Sequence, residues 1–274
     1  MAGPPAPFRA GEGLAIRGEA AGEGTPVVLC HGLTATRHSV LHGSRALERA
    51  GHQVVTYDAR GHGESGPAPA GRGYGYSELV GDLESVLAAR GGGERFLLGG
   101  SSMGAHTALA YALQRPERLA GLVAIGPSYE SPLGPEGLAR WDGLALALEE
   151  GGVEGFVAEI DRGQPLEPRW RGSVLRFTRE RMRHRDLAAV ADALREVPRS
   201  APFADLEELE AIEVPVLLVA SRDEADPGHP YAVAAAYAER LPRAELVVES
   251  EGHSPLAWRG GRLSRAIAEF AARL

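Results

Sequence analysis

The sequence contains no lysine: all 29 of its basic residues are arginine, set against 37 acidic ones for a net charge of −8. A surface with that balance repels phosphate, which argues against a general nucleic-acid partner. The missing lysine carries no functional information of its own. Cysteine is almost absent too. Cys30 stands alone, so neither an intramolecular disulfide nor a cysteine-based zinc site can form, and the chain fits a reducing compartment. Apolar runs of membrane length are missing; the stretch 214–220 is typical of the longest, and the opening MAGPPAPFRAGEG lacks the apolar core of a signal peptide. The expectation is a cytoplasmic protein with no membrane partner. The chain has no HExxH pair, no Walker loop, no dinucleotide fingerprint after its first strand and no repeat of fixed period. Neither a cofactor nor a metal is expected.

What is present is enough apolar sequence for a substantial core, 44% of 274 residues. Short β-branched runs alternate with longer helical patterns, the signature of a mainly parallel sheet with crossover helices. Strands are predicted at 27–30, 53–57, 96–98, 121–125, 216–219 and 246–248, with two edge strands within 8–20. Helices are predicted at 39–50, 77–90 (capped by Ser77), 103–114, 230–240 and 261–274. The alternation breaks between Ser128 and Glu213, where apolar residues recur at helical spacing with no convincing strand. Residues 1–127 and 214–274 are therefore read as an α/β core and 128–213 as an inserted helical cap.

The strongest chemical signal is Gly100-Ser101-Ser102-Met103-Gly104, a Gly-x-Ser-x-Gly preceded by an apolar strand and followed by a helical pattern. A sharp strand-to-helix turn there holds the Ser102 hydroxyl exposed in a strained conformation, and side chains at 100 and 104 would clash. The Met103 N–H, at the start of the helix, can donate to a developing oxyanion. A serine hydroxyl needs a base. Of nine histidines, His253 stands out because it follows the last predicted strand, at the sheet edge where catalytic groups of α/β folds gather. The orienting carboxylate belongs on the loop after strand 216–219, where Asp223, Glu224 and Asp226 compete. Asp226 is preferred because Pro227 and Pro230 stiffen its turn; Asp223 remains the alternative.

The elbow, Cys30-His31-Gly32-Leu33 after one strand, and Asp58-Ala59-Arg60-Gly61-His62-Gly63-Glu64-Ser65 after the next together resemble the α/β-hydrolase superfamily. Within it they resemble the capped serine-hydrolase branch of carboxylesterases, haloperoxidase-like esterases, enol-lactone hydrolases and C–C hydrolases. The resemblance implies a mostly parallel sheet of about eight strands and the chain order Ser102, Asp226, His253 for a catalytic triad. It also implies a second oxyanion N–H at Leu33, beside that of Met103. His31, Asp58, Arg60 and His62 map onto structural loop fasteners. Relatives that act on halides and epoxides use an aspartate at the elbow, where this chain has Ser102.

The expected function is cleavage of carboxylic esters through an acyl-enzyme, with a hydrophobic ester or acyl compound as partner, no cofactor, and a homodimer allowed. C–C bond or enol-lactone hydrolysis by the same triad is the alternative, and a small-ligand receptor on the same fold is the alternative of another class. The C–C reading needs an anion-binding arginine in the pocket. Seven arginines fall between 169 and 185 against two acids through Asp186; they are read as a solvated helix face paired with the acidic body rather than as an anion-attracting lid.

Overall fold

Alternation of side-chain direction along each strand decides how the chain layers. A computed structural model describes residues 4–11, 13–90, 95–163, 166–222, 226–249, 258 and 261–274. Its eight strands are β1 (Ala6–Ala10), β2 (Ile16–Ala21), β3 (Thr25–Cys30), β4 (His52–Asp58), β5 (Phe96–Ser101), β6 (Leu119–Ile125), β7 (Val216–Ala220) and β8 (Ala244–Val248). They form one sheet in the order β1-β2-β4-β3-β5-β6-β7-β8. β2 runs antiparallel to both β1 and β4, and every other pairing is parallel. This is the eight-stranded, mostly parallel sheet that the resemblance implies.

Successive strand side chains point to opposite faces. Val28, Cys30, Val55, Leu98, Leu122 and Leu218 join one core with helices α2 (Tyr76–Arg90), α3 (Met103–Gln114) and α7 (Tyr231–Arg240). Val27, Leu29, Val54, Leu97, Val123 and Leu217 join the other with the single turn α1 (Ala46–Arg49) and with α8 (Gly261–Ala271). A sheet buried on both faces explains the nearly continuous apolar strands.

Two local expectations are corrected. No helix spans 39–50. Positive φ at His42 (47°) and Gly43 (76°) breaks the chain, leaving a 3-10 turn at Arg37–Ser39 and the short α1. Ser77 does not cap α2 but lies inside it; the Tyr76 N–H instead donates to Ser200 Oγ at 2.9 Å, a cap supplied from 124 residues away.

Between β6 and β7 the chain forms α4 (Pro135–Gly163), broken at Gly152, then α5 (Pro168–Arg181) and α6 (Leu187–Glu196). Leu144, Leu148, Phe156, Met182, Val190 and Leu194 form a cluster of their own, against which Leu33 packs. A second cluster, including Met103, Ala189, Ala193 and Val197, joins α6 to the loops at the carboxyl ends of the strands. Among the described residues no helix is long and apolar enough to cross a membrane.

Candidate active site

β5 delivers Ser102 to the carboxyl edge of the sheet, where α3 begins. Its backbone has φ 51° and ψ −116°, a strained conformation for any residue with a side chain. The flanking glycines are there because nothing larger fits. A Cβ on Gly100 would lie 2.3 Å from the backbone carbon of Gly104, and one on Gly104 would lie 2.3 Å from the Cys30 oxygen. The Ser102 N–H donates to Ile125 O at 2.9 Å, which anchors the turn to β6.

The loop after β3 runs alongside. A Cβ on Gly32 would stand 3.4 Å from Ser102 Cβ, so the backbone of His31–Leu33 passes directly beside the serine. Among the described residues neither the Leu33 N–H nor the Met103 N–H has a backbone acceptor. Thr34 holds the loop's reversal with φ 64°.

Three buried imidazoles, His31, His62 and His106, and the half-buried His184 fasten these loops in fixed tautomers. His31 Nε2 accepts from the Ala59 N–H at 2.9 Å, so its proton sits on Nδ1 and is donated to Gly32 O at 2.8 Å. His62 accepts from the Thr34 N–H and donates to Arg60 O; His184 accepts from the Gly63 N–H and donates to Thr34 O. His106 Nε2 accepts from the Ser128 and Tyr129 N–H groups, leaving Nδ1–H for the Tyr76 hydroxyl. Burial pushes His62 and His106 down to about 3 and His184 to about 4, keeping them neutral. Asp58 accepts from the N–H groups of Arg37 and Glu64 and from the Arg37 guanidinium, and Arg60 forks onto the buried Asp82 at 2.7 and 2.8 Å. Cys30 touches the Tyr57 hydroxyl at 3.4 Å, and burial raises its thiol to about 12, which makes it an inert packing residue.

Ser102, Leu33, Asp226, His229 and Arg181 all line one cavity of about 350 Å³, roofed by Trp141, Leu144, Phe156 and Phe177, a size suited to a small ligand. Met103 stands at the first turn of α3, with its side chain buried against Ala189 and Ala193. Asp226 lies beyond β7, its N–H donating to Arg222 O at 3.0 Å. Asp223 and His253 lie outside the described residues.

Two residues on the cavity wall were not anticipated. His229 donates from Nδ1 to Asp226 Oδ2 at 2.8 Å, and its ring lies over Gly126 at the end of β6. Desolvation disfavours the charged carboxyl of Asp226, but the charge and bond of His229, with help from Arg181 and the Gly228 N–H, hold it below its ordinary value. Conversely, desolvation disfavours protonated His229, and the Asp226 charge and bond outweigh it and raise the imidazole. The signal in the sequence was the close spacing of Asp226 and His229 ahead of Pro230.

Arg181 is the second, and the arginine run divides around it. Arg171 pairs with Asp161, Arg179 with Glu154 and Arg176 with Glu180, so these three exposed arginines bond to α4 and α5 themselves rather than to the sheet body. Val174, Phe177, Thr178 and Arg181 instead share the face that lines the cavity, the i, i+3, i+4, i+7 pattern of one helix side. Among the described residues no group of three metal-ligating side chains stands together.

Residues 25–190 match the family described as alpha/beta hydrolase fold. Epoxide hydrolase B of Mycobacterium tuberculosis is 39% identical over 103 residues, which span 38% of this chain and 29% of that protein. The chain thus covers less than a third of that curated relative. A Rhizobium rhizogenes protein assigned as the carbamate hydrolase RutD is 31% identical over 205 residues, covering 73% of this chain and 74% of the relative. A thermophilic esterase from Thermogutta terrifontis superposes with a TM-score of 0.78 at 24% identity over 99% of both chains, which bears on the fold alone.

Proposed function

The chain belongs to the alpha/beta hydrolase fold family, and on that premise we propose that it is a serine hydrolase of carboxylic esters. The observation that carries this reading is Ser102 itself, strained on a strand-to-helix turn between two obligatory glycines and opening on the cavity that Leu33 and Asp226 also line. The aspartate that epoxide-opening relatives use at the elbow is absent, and a serine hydroxyl suits acyl transfer.

In this reading Ser102 Oγ attacks the ester carbonyl while His253 Nε2 takes its proton. The N–H groups of Leu33 and Met103 hold the resulting oxyanion, each such donor being worth ~10²–10³ in rate. The intermediate collapses as His253 returns the proton to the departing alcohol. Water, deprotonated by the same imidazole, then attacks the acyl-enzyme and releases acid and Ser102 Oγ–H. Asp226 fixes the imidazole tautomer and steadies its positive form. No cofactor enters these steps. The apolar roof of Trp141, Leu144 and Phe156 supports a substrate with a hydrophobic acyl or alcohol part. The proposed cap is the helical segment 128–213, on the core of 1–127 and 214–274.

The Asp226–His229 bond favours a second reading in which His229 is the base. Activity against an acyl-length series of 4-nitrophenyl esters, beside a vinylogous diketone acid as the C–C substrate, tests the main proposal. Ester turnover with a saturable kcat/KM supports it; turnover of the diketone acid alone rejects it.

A further inference from the structure

Arg181 presents an energetic puzzle. Guanidinium is always charged, and leaving a charged donor buried without a partner costs several kcal/mol. Yet Arg181 Nε is fully buried with no hydrogen-bond partner. The Phe177 ring stands 5.9 Å from its guanidinium carbon, and the apolar residues Val174 and Phe156 line the same cavity. The chain is rich in acids, and other arginines of the same helices receive them: Arg171, Arg179 and Arg195 are all paired. Arg181 receives none among the described residues. The cavity carboxylate Asp226 accepts from His229 through Oδ2 and forms no ion pair with Arg181. Burial lowers the Arg181 guanidinium from its ordinary value, with only the field of Asp226 opposing. Arg140, on α4, lines the same cavity and is exposed to its mouth. Among the described residues the cavity wall therefore carries two arginines against one acid, in a chain whose net charge is −8.

We propose that Arg181 is the anion subsite of this cavity, and that the substrates cleaved at Ser102 are esters bearing a free carboxylate. This rests on the serine-hydrolase reading above for its chemistry, but not for its binding. A carboxylate of the ligand completes the guanidinium's hydrogen bonds in a planar, two-pronged pair, the strongest arrangement available to arginine. The ligand's apolar stem lies between Val174, Phe177 and Phe156, and its ester carbonyl reaches Ser102. Arg140 at the mouth draws the anion in.

The test uses two substrate series on the full chain. Monomethyl esters from succinate to suberate carry the carboxylate on the acyl side, and O-acetyl ω-hydroxy acids carry it on the alcohol side; the dimethyl and methyl-capped forms are the neutral controls. For at least one series, the anionic form is expected to exceed its control in kcat/KM by tenfold or more. In Arg181→Met that ratio falls about 10- to 100-fold, and in Arg181→Lys it falls less. Preference for the neutral forms in both series, or an unchanged ratio in Arg181→Met, overturns the proposal. Calorimetric binding of monomethyl adipate and 6-acetoxyhexanoate to Ser102→Ala, with and without Arg181→Met, separates the two ideas. Binding that depends on Arg181, in a protein whose wild type cleaves no ester, keeps the anion subsite and rejects the esterase. Ester cleavage with binding indifferent to Arg181 does the reverse. Arg181→Met melting with the wild type excludes loss of folding as the cause, and Arg181→Lys serves in its place if it does not.

Discussion

His229 and Asp226 form a hydrogen-bonded pair, Nδ1 to Oδ2 at 2.8 Å, on the wall of the cavity that contains Ser102. The pair shifts each partner toward its charged form: the carboxyl is lowered and the imidazole raised. The raised imidazole contributes stability below about pH 6.5 that is lost as pH rises through its folded value. The lowered carboxyl contributes above about pH 4, and this is lost as pH falls through its own. The pair is therefore strongest between those limits. Titration of the His229 ring nitrogens by NMR is expected to give a midpoint above 6.5. In Asp226→Asn the midpoint should drop below 6.5, since desolvation and Arg181 then act unopposed; no movement would refute the pairing.

The identity of the base divides the two catalytic readings. His253→Ala is expected to lower ester turnover by at least ~10³, and Asp226→Asn by ~10³–10⁴ through loss of tautomer control. His229→Ala should cost far less, as should Asp223→Asn. If His229→Ala is as damaging as Ser102→Ala while His253→Ala is mild, His229 takes the role of base.

Gly104 faces the carbonyl ends of Cys30 and His31, and a methyl there would stand 2.3 Å from one oxygen and 2.7 Å from the other. Both are backbone atoms, so the elbow or β3 must move. Gly104→Ala is expected to destabilise by about 1–3 kcal/mol and to reduce turnover by more than the loss of folded protein explains. Denaturant melts beside active-site titration check this. A variant with wild-type stability and rate would show the turn to be loosely packed.

Neutral histidines held in the interior or half-buried make the fold acid-sensitive. His62 and His106 sit near 3 and His184 near 4 in the folded chain, against about 6.5 when unfolded. Between those values the unfolded chain binds more protons, so stability is complete above about pH 6.5 and declines as pH falls toward 4. The denaturation midpoint at pH 5 should lie below that at pH 7.5. His106→Gln should flatten the slope, although it also loses the bonds to Ser128 and Tyr129. Equal midpoints at the two pH values would contradict the account.

The parts of this protein legible in its sequence are those fixed by short-range sterics. The elbow is legible because Gly100 meets Gly104 four residues on, although Gly104 itself is required by the distant carbonyls of Cys30 and His31, and the strands are legible because both faces are buried. The break in the expected helix at 39–50 is not legible in the sequence, because a left-handed residue at His42 carries no side-chain signature. The cap of α2 was misassigned because the true acceptor, Ser200, arrives from another part of the chain. Arg181 was lost among its neighbours: its charge looked like theirs, and only the helix face it shares with Phe177 and Val174 turns it inward. His229 carries no strand-end signal, because it stands before α7 rather than after the last strand, and only the contact with Asp226 marks it.

The central claim is that Ser102 is a nucleophile, and labelling with a fluorophosphonate followed by peptide mass mapping tests it most directly. The account predicts a single phosphonate adduct on the peptide containing Ser102, lost in a folded Ser102→Ala variant whose ester turnover falls at least ~10³-fold. An adduct retained in that variant, or turnover that survives it, would contradict the assignment.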